Sequence, residues 1–91
     1  MSAARIFKEI ERRAQAEDKF EAGNRAFCVT VALANGEMLF NADYIDVKPN
    51  EGYVHLSLSA NDTRVAPGTD ALNRHVMIPL DQIVYVRPTW L

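Results

Sequence analysis

The stretch HVMIPLDQIVYVRP, residues 75–88, decides how this chain can fold. It is apolar over consecutive residues twice, with the polar pair Asp81-Gln82 between the two runs. A strand with one face in water alternates apolar and polar side chains, so these runs indicate strands that are covered on both faces. We predict strands at residues 74–80 and 83–87. Because two residues are too few for an ordinary hairpin so close to Pro79, we predict a single 3₁₀ turn between them.

Length and composition indicate one globular domain, residues 1–91, without an internal repeat. A chain of this size buries only about 60–65% of its unfolded surface, so its core is thin. Apolar residues make up 48% and charged residues 24% of the chain, which excludes disorder and low complexity. The net charge of −2 disfavours strong non-specific binding to nucleic acid but leaves room for a local basic patch.

Cysteine usage and hydropathy bear on the compartment. The single cysteine, Cys28, cannot form an internal disulfide, which fits a reducing environment. No apolar run is long enough to cross a bilayer, and the first turns carry charges that a secretory signal would lack. We therefore expect a cytoplasmic protein that does not bind membranes.

Residues 2–22 are predicted to form a helix. Ser2 can cap its beginning, and Gly23-Asn24 supplies the residues that favour a helix end. Apolar residues recur at three- and four-residue spacing and form one stripe, which predicts docking on a core. The stripe consists of Ala3, Ile6, Phe7, Ile10 and Ala14. Mixed charges on the opposite side argue against a helix that lies on a membrane.

From residue 26 the hydrophobic period becomes two, which predicts strands. Larger side chains alternate with small ones in residues 26–34, so one face of this strand is lined only by small residues. Asn35-Gly36 is a strong hairpin signal, because both residues tolerate positive φ. A longer strand follows, bent near Asn41, and then a turn at residues 48–52. A strand at residues 53–60 and a loop at residues 61–73 complete the pattern.

The order of these elements resembles the Sm-like fold, which includes the bacterial Hfq proteins. VTVALANGEML, residues 29–39, with an acidic residue near Asp46, is similar to the first Sm motif. VMIPLDQIVYVRP, residues 76–88, is similar to the second. The resemblance covers residues 26–88. It implies a mainly β fold with an N-terminal α-helix and a five-stranded, strongly bent Sm-like or SH3-like barrel.

The chain departs from the family at positions that bind RNA. Pro79-Leu80 replaces the usual Arg-Gly, and Leu80-Asp81 stand where Hfq proteins carry a lysine-histidine pair. The aromatic residue that Hfq proteins place in the first strand is Ala32, and a glycine expected in the bent strand is Asn41. The resemblance therefore supports a small barrel more strongly than it supports RNA binding.

The resemblance also implies a homo-oligomer. In Sm-like rings the fourth strand of one subunit pairs with the fifth strand of the next, which leaves no open sheet edge. The interface residues it implies are Val76, Ile78, Val84 and Val86. An alternative within one chain is that the helix covers the small-residue face of the first strand. Trp90-Leu91 either dock on the barrel or form a contact with a partner.

Ligand contacts implied by the resemblance lie at residues 48–52 and 80–82. Lys48, Asn50 and Gln82 can hydrogen-bond a base or phosphate, and Tyr53 can stack on a base. Solvated turn residues without a ligand are the alternative interpretation. Another candidate basic patch consists of Arg64, Arg74 and Arg87.

No pattern in the chain indicates catalysis. His55 and His75 lack a recognisable metal spacing and are interpreted as surface or strand-face residues, and Cys28 as a buried structural thiol. We expect no enzyme, no catalytic residue, no metal and no cofactor. Two functions stay open. One is a divergent Sm-like binder of short RNA or nucleotide. The other is a protein-interaction or structural oligomer, for example a phage or mobile-element accessory protein.

Overall fold

The protein is described here by a computed structural model that covers residues 3–16 and 27–90. It is mainly β with one N-terminal helix, as predicted. The elements are α1 (Ala3–Ala16), β1 (Phe27–Leu33), β2 (Met38–Lys48), β3 (Tyr53–Ser57), β4 (His75–Pro79) and β5 (Ile83–Trp90), with 3₁₀ turns at Ala71–Arg74 and Leu80–Gln82. Ser2, Gly23-Asn24 and the predicted end of the helix at residue 22 lie outside the described residues. None of the helices within those ranges is long and apolar enough to cross a membrane.

The five strands form one antiparallel sheet in the order β4-β3-β2-β1-β5. β4 and β5 follow one another in the chain, separated only by the 3₁₀ turn Leu80–Gln82, yet they occupy opposite edges of the sheet. Because only three residues connect these edges, the sheet must curve so that the end of β4 lies close to the beginning of β5. The closed barrel is not confirmed, because β4 pairs only with β3 and β5 only with β1. The described strands form an open, curved sheet.

The predicted bend in β2 is confirmed at Asn41. Its φ is +51°, in the left-handed region that asparagine tolerates better than most residues. The pairing of β1 with β2 shifts between Val29 and Val31 at this bulge. The Asn41 amide N–H donates to Thr30 Oγ1 at 3.2 Å, so the bulged backbone is satisfied by the neighbouring strand.

The predicted turns are also confirmed. The Asn35-Gly36 turn has Gly36 at φ +91°, and the Glu37 amide N–H donates to Asn35 Oδ1 at 2.9 Å. At the next turn, the Gly52 amide N–H donates to the Lys48 carbonyl at 2.9 Å. The 3₁₀ turn lies at Leu80–Gln82, between the two apolar runs of residues 75–88, as predicted.

The core lies on a single face of the sheet and beneath α1. Ala42 pairs with Val29, so Tyr44, two residues further along β2, faces the same side. Phe7 of α1 stacks on Tyr44 there. The idea that the helix covers the small-residue face of β1 is therefore wrong for the described helix, because α1 packs on the opposite face. The buried core consists of Phe7, Ile10, Val29, Val31, Leu39, Ala42, Tyr44, Val47, Val54, Leu56 and Leu58.

Candidate functional site

Edge strand β4 places its side chains alternately toward the core and toward solvent. Val76 pairs with Leu56 and Ile78 with Val54, so both point to the core side and are half-buried. The outward positions are exposed, and Met77 is 63% accessible. Val76 and Ile78, expected at a subunit interface, thus contribute to the core of their own chain.

Edge strand β5 repeats this arrangement with one irregularity. Val86 pairs with Val31 and packs on the core, whereas Tyr85 pairs with Ala32 on the outward face. The register shifts between Ala32 and Leu33, and this bulge leaves Val84 67% exposed. Of the four expected interface residues, Val84 is the one whose side chain is exposed.

Within residues 3–16 and 27–90, no strand pairs with the outer side of β4 or of β5, so both edges carry backbone groups without a strand partner there. Such an edge can pair with a strand from another chain, unless charges, proline or a bulge block it. Met77 on β4 and Val84 and Tyr85 on β5 are large apolar side chains exposed beside these edges. Pro79 ends β4, and the bulge beside Val84 and Pro88 interrupt β5, so a strand could be added along only part of each edge.

The structure brings together the two turns expected to bind a ligand. The Leu80 amide N–H donates to the Gly52 carbonyl at 2.9 Å, which ties the 3₁₀ turn to the β2–β3 turn. An open cleft of about 700 Å³ lies beside this bond, between the two turns and the beginning of α1. Its lining is Ala3, Ala4, Pro49, Gly52, Pro79, Leu80, Asp81 and Ile83.

None of the four side chains expected to bind a ligand lines this cleft. Lys48 Nζ lies 3.0 Å from Asp46 Oδ2, and this hydrogen-bonded carboxylate raises the pKa of Lys48. A hydrogen bond with Glu51, followed by desolvation, raises the pKa of the Tyr53 hydroxyl. Asn50 and Gln82 are exposed.

The charge of this region is unfavourable for a phosphate. Asp46, Glu51 and Asp81 outnumber Lys48, whose ammonium group already pairs with Asp46. Phosphate recognition needs cationic or N–H donors that are available to the ligand. The cleft and its surroundings instead offer a mostly apolar surface with acidic neighbours.

The three arginines of the alternative basic patch have different roles. Arg64 Nη1 lies 2.9 Å from Asp62 Oδ2, and its Nη2 donates to the Met38 carbonyl at 2.8 Å. Arg74 donates to the carbonyls of Leu58 and Thr69 at 3.1 and 3.0 Å. These two guanidinium groups organise the loop before β4. Arg87 is exposed on β5, opposite Thr30.

Sequence reasoning missed the contact between the two histidines. His55 on β3 and His75 on β4 are 20 positions apart, yet His55 Nε2 and His75 Nδ1 lie 2.8 Å apart. The available signal was that both occupy outward positions of strands that could be neighbours. Among residues 3–16 and 27–90, no group of three His, Cys, Asp or Glu side chains is placed to hold a metal ion.

The other residues that the sequence pointed to are Cys28 and the pair Trp90-Leu91. The Cys28 thiol is half-buried rather than buried and donates to Asp43 Oδ1 at 3.2 Å. Trp90 pairs with Phe27 at the end of β5. The Trp90 side chain and Leu91 lie outside what the structure describes.

Comparison with protein-family models, with curated proteins and with solved structures gave no match to this chain.

Proposed function

We propose that this chain is a non-enzymatic, Sm-like binding module that forms a homo-oligomer by pairing β4 of one copy with β5 of the next. The observation that carries the proposal is the strand order, in which consecutive strands are the two open edges of one curved sheet. Because the two edges differ, their pairing is head-to-tail. A head-to-tail contact forms a ring when its rotation closes.

The edge side chains support such an assembly. Val76, Ile78 and Val86 point to the core side but stay half-buried at the two edges. A strand added at each edge would remove more of their apolar surface from water, at about 25 cal/mol per Å². It would also satisfy the backbone groups that the open edges expose.

We further propose that the assembled module recognises a protein partner rather than RNA. Glu51 and Asp81 belong to the joined turns, and Asp46, two residues before the first turn, engages Lys48. Arg64 donates to the Met38 carbonyl and Arg74 donates to the Leu58 carbonyl. The cleft lining is mostly apolar, which suits protein contacts better than a phosphate backbone.

Light scattering of the purified protein at micromolar concentration tests the oligomer, and the wild type should exceed the mass of one chain. Val84→Asp should lower this mass, because an unpaired charge buried at the contact is costly. Since Val84 is 67% exposed in the single chain, this variant should keep the wild-type circular dichroism spectrum. Ile78→Asp is a poorer probe, because Ile78 packs on the core.

Leu72→Asp is the matched control. Leu72 is 82% exposed and lies in the 3₁₀ turn before β4, outside both edge strands. It should keep the wild-type mass. A monomeric wild type, or equal masses for the wild type and the Val84→Asp variant, would contradict the proposal.

A further inference from the structure

Both histidines of the chain lie on the outward face of one strand pair. Val54 and Leu56 flank His55 on β3 and face the core, so His55 faces away from it. His75 pairs with Ser57, which is two residues from His55 and on the same face. The two imidazoles are thus diagonal neighbours on adjacent strands. Their ring centroids are 4.8 Å apart and their planes are inclined at 59°.

We propose that His55 and His75 form a two-histidine chelating site for a divalent transition-metal ion such as Ni²⁺ or Cu²⁺. Neutral imidazole is a good ligand for both ions. The site lies on a single chain, so it does not depend on the proposed assembly.

The two ring nitrogens are close enough to bind one ion. Metal–imidazole bonds are about 2.0–2.1 Å long, so two donors 2.8 Å apart subtend roughly 85–90° at a shared ion. That angle matches neighbouring ligands in square-planar or octahedral coordination. In the metal-free protein the 2.8 Å contact is a hydrogen bond between the two rings. A bound ion would replace the shared proton, and both rings must turn to direct a lone pair at the ion.

The surroundings of the pair fit an open, exchangeable site. His75 is exposed and His55 is partly buried, so solvent reaches the pair. Asp46 pairs with His55 across β2 and β3, and its carboxylate accepts from the Val47 amide N–H at 2.8 Å and lies 3.0 Å from Lys48 Nζ. Within the described part of the chain no third ligand is in place, so water would complete the coordination.

The fixed pairing of β3 with β4 gives the site its chelate character. Because the two imidazoles are held on neighbouring strands, binding of the ion to one ring places it beside the other at high effective concentration. Loss of either ring should then weaken binding by about a hundredfold. A site that used a single surface imidazole would be insensitive to removal of the other one.

Isothermal titration of Ni²⁺ into the full chain, purified without a histidine tag, tests the proposal. We expect one ion per chain at neutral pH. His55→Ala and His75→Ala should each weaken binding by about a hundredfold. Met77→Ala, at the β4 position that pairs with His55, should leave the affinity unchanged. Cys28→Ser should also leave it unchanged, which separates imidazole from thiolate binding.

A second readout identifies the ligands directly. Ni²⁺ should broaden or shift the imidazole NMR signals of both histidines at substoichiometric amounts, while circular dichroism verifies that the alanine variants are folded. The proposal is overturned if the wild type binds no Ni²⁺. It is also overturned if only one of the two histidine variants loses affinity.

Discussion

The ring of Phe7 in α1 stacks on the ring of Tyr44 in β2, with centroids 5.7 Å apart and planes inclined at 13°. Both residues have no exposed surface. The Tyr44 hydroxyl donates to Glu11 Oε2 at 2.6 Å, so one β2 side chain contacts α1 at two successive turns. Phe7 and Ile10 are buried in the core and Ile6 packs against it partly buried, so the predicted docking of the helix through these three residues is confirmed.

Replacing Phe7 by alanine should destabilise the whole domain. Removing a buried phenylalanine costs about 3–5 kcal/mol, through lost apolar burial and the cavity that remains. Chemical denaturation followed by circular dichroism should show this loss in the free energy of unfolding. Lys8→Ala, on the exposed side of the same helix, is the control and should change it little. Equal stability of the two variants would mean that the helix is not docked.

Tyr44→Phe should separate the ring contact from the hydroxyl contact. The stacked ring stays, while the charge-assisted hydrogen bond to Glu11 is lost, at a cost of about 1.5–3 kcal/mol. Denaturation measured beside Phe7→Ala should place this variant at the smaller loss. If Tyr44→Phe lost as much free energy of unfolding as Phe7→Ala, ring burial would not be the main contribution of this contact to stability.

The bulge at Asn41 makes a prediction about backbone conformation. Valine there should lower the free energy of unfolding by about 1–2 kcal/mol, because a side chain with a branched Cβ is strained at φ +51°. Glycine should be tolerated. Phe40→Val is the control, because it places the same β-branched side chain at the adjacent exposed position of β2. Thermal melts of Asn41→Val, Asn41→Gly and Phe40→Val compare their stabilities. If Phe40→Val lowered the stability as much as Asn41→Val, the positive φ of Asn41 would not be the cause of the loss.

The His55–His75 contact predicts a lower free energy of unfolding in mild acid than at neutral pH. Desolvation and then the charge of His75 lower the pKa of His55, and Asp46 opposes them only in part. The native state therefore binds fewer protons than the unfolded state, so stability rises with pH. His55 contributes stability above its unfolded pKa of about 6.5, which is lost as pH falls through the lower folded pKa.

Denaturation of the wild type and of His55→Gln, with a chelator present, measures this effect. The stability difference between them should shrink from neutral pH to about pH 5, still above the range in which most carboxylates titrate. A difference that is constant with pH would show that His55 titrates alike in both states.

RNA binding should be weak and strongly dependent on salt. Phosphate contacts release counterions, so any affinity for short uridine- or adenine-rich RNA should fall steeply as salt rises. Fluorescence anisotropy is the measurement, with Lys48→Ala and Gln82→Ala as tests of the turns and Leu72→Ala as the control. Sub-micromolar affinity at physiological salt would contradict the preference for a protein partner.

Local features of the fold followed from short stretches of sequence. The Asn35-Gly36 turn, the bend at Asn41 and the 3₁₀ turn at Leu80–Gln82 each depend on a few neighbouring residues. Each of these features depends on backbone preferences within a few residues, such as positive φ or the missing N–H of proline. They can therefore be predicted without knowing the rest of the fold. The apolar stripe of α1 is predictable for the same reason.

The candidate sites depended on long-range pairing instead. Sequence reasoning expected Val76, Ile78, Val84 and Val86 to share one interface, but the bulge beside Val84 exposes it while the other three point to the core side. The neighbouring turns at residues 48–52 and 80–82 were expected from a family resemblance, and their hydrogen bond comes from the fold.

The sequence by itself determined that this chain is mainly β, with a docked helix, marked turns and a redirecting 3₁₀ step. Only the tertiary structure decided that the sheet stays open with β4 and β5 at its edges, and that His55 meets His75. The physical reason is register. Strand pairing is summed over distant residues, and one bulged residue exchanges the inward and outward positions of everything that follows it in the strand.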